Sequence, residues 1–141
     1  MEIKQFTKEL LKIAYAAVVC DGDINENELA TIRSIEKEDF YLKKEDLHKD
    51  IDRLEKEAAD DYIEFAHNTV KETYKLDLTP AQKMIVINLA IAIVRADGKM
   101  QSQEISFIKA LILNLQLTDV IVEAVNGNWW IIKSEYGLSQ D

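Results

Sequence analysis

The chain has 141 residues, 48% of them hydrophobic, a formal net charge of −9 and a pI near 4.7. That length suits one domain, 1–141, able to bury roughly two thirds of the surface its unfolded form exposes. So acidic a chain, with no basic stripe, is not expected to bind nucleic acid or an anionic membrane surface. One Pro and four Gly leave few breakers and favour helices, while the single cysteine excludes an internal disulfide.

Phe6, Leu10, Ile13, Ala14, Ala17 and Val18 recur at helical spacing, so a first helix is expected from about residue 4 to Cys20. Gly22 supplies the left-handed residue that follows many helix ends. Asn25 with Glu28 three places on resembles a capping box, opening a second helix that carries Leu29, Ile32 and Ile35. A polar stretch, Glu36 to Lys49, reads as a connection containing Phe40 and Tyr41. Ile51, Leu54 and Ala58 then mark a charged third helix. Asp60 or Asp61 caps a fourth, with Ile63, Ala66, Val70 and Tyr74 on its inner face.

Thr79-Pro80 is an N-cap followed by a first-turn proline. The helix it opens, Ala81 to Ala96, is apolar nearly all round, which predicts the centre of the bundle, with Asn88 as a buried amide. Gly98 ends it. Gln101 or Ser102 opens the next helix, with Ile105, Ile108, Ile112 and Leu115 inward. A last short helix is expected from Thr118 to the Asn126-Gly127-Asn128 stop, before a tail, 127–141, with Trp129-Trp130-Ile131-Ile132. The expectation is an all-α, single-domain bundle of about seven helices.

One segment occurs twice. Asp21-Gly22-Asp23-Ile24-Asn25-Glu26-Asn27-Glu28 returns, at a constant offset, as Asp97-Gly98-Lys99-Met100-Gln101-Ser102-Gln103-Glu104. Each copy reads Asp-Gly-x-apolar-x-x-x-Glu between an apolar and an amphipathic helix. The pattern predicts two helix–turn–helix halves, about 4–38 and 80–115, related by an internal two-fold repeat.

The turn resembles the second half of an EF-hand loop, but Ala17 and Val19, or Ile93 and Arg95, stand where the first oxygen ligands belong. Half a loop offers too few of the roughly six to eight oxygens a calcium ion takes, so a true EF-hand is rejected. A composite cation site remains a candidate. The first turn gathers Asp21, Asp23, Glu26 and Glu28 with no nearby base, whereas Asp97 and Glu104 are offset by Arg95 and Lys99. The first turn is therefore the preferred metal position, with Asp21, Asp23, Glu28, Asp97 and Glu104 as candidate ligands and calcium or magnesium favoured over zinc. The competing reading makes both glycines helix caps and both glutamates capping-box partners.

The two helix ends running into Asp21-Gly22 and Asp97-Gly98, with a Glu seven residues beyond each Asp, resemble the TerB-like family of small, acidic, helical proteins associated with tellurite resistance and bacterial stress responses. The resemblance covers roughly residues 4 to 125. It implies a seven-helix bundle whose acidic residues chelate a divalent metal; carried over, those are Asp21, Glu28, Asp97 and Glu104. Cys20 stands where the family's wording, kept in Ala96-Asp97-Gly98, has alanine.

The remaining residues have plainer readings. Cys20, beside Asp21 and Asp23, is expected to keep its proton and act as a packing residue. His48 and His67 have no companion at ligand spacing, so a Cys/His zinc site is not expected. Trp129 and Trp130 are either a docked tail or a partner-binding hot spot, and a homo-oligomer contact is one use for them. Met1 to Phe6 has no apolar signal core and no stretch is long enough to span a bilayer, which predicts a cytoplasmic protein without an integral membrane segment. The reading is a non-enzymatic binding module for other proteins. The alternatives are a purely structural interaction domain without metal, or a metal-assisted hydrolase, which lacks a His dyad and a phosphate-cradling loop.

Overall fold

The computed structural model describes residues 2–24, 26–38, 44–96, 101–117, 120–125 and 129–134. Helix α1 (Ile3–Val19) is followed by α2 (Glu26–Glu38), α3 (Lys44–Ala58), α4 (Tyr62–Glu72) with a 3₁₀ turn (Thr73–Lys75), α5 (Pro80–Val94) and α6 (Ser102–Asn114). The all-α bundle expected from the sequence is the fold observed, with six α-helices among the described residues.

The local signals explain most of the boundaries. The Asp61 side chain accepts the Glu64 N–H at 3.0 Å and starts α4. At the head of α5 the Thr79 hydroxyl accepts the Gln82 N–H while the Gln82 side chain accepts the Thr79 N–H, a reciprocal capping box ahead of Pro80. The polar segment 36–49 is shorter as a connection than its composition predicts, because α2 runs on to Glu38 and α3 already begins at Lys44. Phe40 and Tyr41, and Asn25 at the head of α2, lie outside the described residues.

The centre of the bundle is α1, not α5. Every residue from Ile13 to Val19 is at most 2% exposed, and α1 packs against α2, α3, α4 and α5. Its small side chains, Ala14, Ala16 and Ala17, let neighbouring helices approach on several sides. Helix α5 buries Val86, Ile87, Ile93 and Val94 but leaves an exposed stripe at Asn88 and Ala92, so Asn88 is a solvated amide. Each large side chain fully withdrawn from water, such as Leu10, Ile87 or Ile108, contributes about 1.5–3 kcal/mol.

The inner face of α4 is also rotated from expectation. Phe65, Ala66, Thr69 and Val70 face the core, while Ile63 and Tyr74 are each 56% exposed. Phe65 sets this rotation by meeting Tyr15 edge to face, ring centroids 6.0 Å apart.

The short helix expected after Thr118 is replaced by an antiparallel hairpin of β1 (Val120–Val125) and β2 (Trp129–Ser134), with Val125 opposite Trp129 and Val122 opposite Ile132. Val120-Ile121-Val122 are consecutive β-branched residues, and Asn-Gly, present at 126–127, is a sequence pair that favours hairpins over helix. Together they outweigh the helical pattern.

Helices α1 and α5, the first helix of each half, pack against one another, with α2 against α1 and α6 against α5.

Candidate functional site

The first acidic turn begins where α1 ends. The Gly22 N–H reaches the Val19 carbonyl at 2.9 Å, and Gly22 takes φ +93°, a conformation L-residues rarely adopt. Space there is also short, since a Cβ on Gly22 would sit 3.3 Å from Cδ1 of Ile63 on α4. The turn is thereby held against α4 as well as joined to α2.

Asp21 is half-buried, and its Oδ1 accepts the Asp23 N–H at 3.0 Å, a local Asx turn. Asp23 itself is exposed. Glu28, the third residue of α2, is 1% exposed. Its counterpart Glu104, the third residue of α6, is 2% exposed, and its Oε1 accepts the Gln101 N–H at 2.8 Å. The capping reading is thus realised at Glu104. A cap does not by itself need burial, because the N–H groups it satisfies lie at the open end of a helix. Asp97, with Gly98, Lys99 and Met100, lies outside the described residues.

Cys20 is the C-cap of α1. Its buried Sγ donates to the Ala17 carbonyl at 3.4 Å. Burial first, and then the charges of Glu104, Asp21 and Glu28, push the thiol far above its ordinary range. Carboxylates from both copies of the repeat therefore act on one sulfur atom, and that sulfur stays protonated. The expectation of an unreactive Cys20 agrees with this surrounding. The sequence signal at this position was the exchange of alanine for cysteine between the copies, Ala96 against Cys20.

Of the five candidate ligands, Glu28, Glu104 and Asp21 act electrostatically on Cys20, Asp23 is exposed, and Asp97 lies outside the described residues. Among the described residues, no three His, Cys, Asp or Glu side chains stand close enough to hold a metal ion by themselves. The donor chemistry present is carboxylate oxygen beside a protonated thiol, which suits a hard cation and not a soft one. His67 is exposed on α4. Trp129 and Trp130 lie in β2, opposite Val125 and Ala124.

The family model described as "Tellurite resistance protein TerB" matches residues 7–126, spanning both repeats from the second turn of α1 onward. The chain belongs to the TerB family. Comparison with curated proteins and with solved structures gave no match. The TerB match ends at residue 126, just after β1, so β2 and its two tryptophans fall outside the matched span. No helix among the described residues is long and apolar enough to cross a membrane.

Proposed function

We propose that this TerB protein is a non-enzymatic binding module whose paired acidic turns take a divalent cation, and that the liganded state recruits other proteins in a stress response such as tellurite resistance. The observation that carries the reading is the burial of Glu28 and Glu104, equivalent residues of the two repeats, with both charges acting on Cys20. Carboxylates drawn from water are costly until a proton, a hydrogen-bonding partner or a cation compensates them.

Glu28 and Glu104 would anchor the ion, with Asp21 and Asp97 completing its shell; Asp23, on the surface, is the least suited of the candidate ligands. The cation supplies positive charge that joins the two halves. With few protein ligands besides water, affinity belongs in the weak range, a dissociation constant of about 10⁻⁴ to 10⁻³ M. Calcium or magnesium fits this oxygen set better than zinc. The reading as a purely structural domain draws its support from the bond between Glu104 and Gln101, which serves α6 with or without a cation.

Titration calorimetry of the metal-free protein decides between them. Saturable calcium or magnesium binding that disappears in the Asp21→Asn, Glu28→Gln variant supports the cation module. No heat from either ion at millimolar concentration leaves the turns as caps.

A further inference from the structure

Beside the first acidic turn, α4 and α6 flank an open groove of about 580 Å³. Its volume lies within the roughly 300–1,000 Å³ of small-molecule sites. Ala66, Val70, Phe107 and Ala110 supply apolar wall, and Cys20 and Ile63 line it too.

Charge distinguishes this groove from the rest of the molecule. In a chain of net charge −9, no Asp or Glu among the described residues lines it, whereas Lys71 does. Another cavity on α4, of about 340 Å³, has the opposite character: Glu57, Asp60, Asp61, Glu64 and Glu72 line it, with Lys12 as the one lining cation among the described residues. Lys12 is within 3.9 Å of Glu57 there. Among the described residues, neither ion pair engages Lys71.

The groove also has a direction. Ile63 lies against Gly22, and Glu104 acts on Cys20, so the N-terminal turns of α4 and α6 both lie at the Cys20 end. Lys71 is eight residues beyond Ile63, about 12 Å along the helix axis. One end carries Ile63 beside the polar side chains of Ser102 and Gln103, and the other carries an amine. The Lys71 ammonium attracts an anionic head to the second.

We infer that this groove binds a small amphipathic carboxylate, its head group at Lys71 and its hydrocarbon or aromatic body laid along Val70 and Phe107 towards Ile63. A medium-length acyl chain matches the distance from Lys71 to Ile63.

The test uses the full chain in EDTA, so that the cation site takes no part, with the fluorescent aromatic anion 8-anilinonaphthalene-1-sulfonate as probe. Lys71 and Ser106 are both exposed, so Lys71→Glu and Ser106→Trp leave the core intact, which circular dichroism and the melting temperature confirm for each. The expected result is saturable one-to-one binding, displaced by octanoate and not by octylammonium. Lys71→Glu should weaken it by about tenfold or more, the loss of a charge-assisted contact, and Ser106→Trp should abolish it by filling the groove. Binding unchanged in both folded variants, displacement by octylammonium as readily as by octanoate, or no saturable binding overturns the proposal.

Discussion

Glu28 and Glu104 occupy the same position in the two repeats, third residue of α2 and of α6, and both are withdrawn from water where their charges act on the Cys20 thiol. This relationship can be read chemically. Burial is the larger cause of the thiol's raised pKa, so Cys20 should react slowly with a disulfide reagent such as 5,5′-dithiobis(2-nitrobenzoate) in every folded variant. Glu104→Gln or Glu28→Gln removes one of the charges, and each should shift the pH–rate profile of Cys20 to lower pH. Asp23→Asn, on the surface, should leave the profile in place. A profile insensitive to both glutamates would show that neither charge acts on the sulfur.

The turn itself should tolerate little at Gly22. An alanine there meets an unfavourable φ and crowds Cδ1 of Ile63 at 3.3 Å. Gly22→Ala should destabilise the fold by about 1–3 kcal/mol in urea unfolding. Truncating Ile63 to alanine relieves the crowding and not the backbone strain, so the double variant should recover only part of the loss. Full recovery would assign the whole effect to Ile63.

Much of this could be read from the chain, because the signals were local. Thr79-Pro80, Asp61 and Gly22 act through their own backbone or that of residues three or four away, and each stands where its chemistry requires. The face of α4 was set instead by Phe65 packing on Tyr15, a contact between residues fifty apart in the sequence. The centre of the bundle was misjudged for a related reason: hydrophobicity singled out α5, whereas the alanines of α1 admit neighbours on more sides. The hairpin was legible in Val120-Ile121-Val122 and Asn126-Gly127, but a helix stop and a hairpin turn use the same residues. As for the candidate site, Glu28 and Glu104 are legible by repetition, while their common influence on Cys20 depends on how the helices pack.

Tyr15 offers an independent check on the core. Its hydroxyl is buried and has no hydrogen-bond partner among the described residues, and burial, then the charges of Glu55 and Tyr62, push its pKa up to about 12. Below pH 10 the tyrosine is neutral in both folded and unfolded chains. Between about pH 10 and 12 the unfolded chain ionises first, so the stability this group contributes falls as pH rises through that window. Tyr15→Phe removes the unmet hydroxyl while keeping the ring against Phe65. It should be neutral or stabilising by up to about 1–2 kcal/mol at neutral pH, and should lose less stability than wild type above pH 10. A clear destabilisation at neutral pH would mean that the hydroxyl has a partner.

The claim that the paired turns form a cation site is tested most directly by thermal unfolding of EDTA-stripped protein with and without calcium or magnesium, beside the Glu28→Gln, Glu104→Gln variant. A cation at about 100 times its dissociation constant adds about 2.7 kcal/mol, which raises the melting temperature of a domain this size by several degrees. The account predicts that rise in wild type and none in the variant. No rise with either ion at millimolar concentration, or an equal rise in the variant, would contradict it.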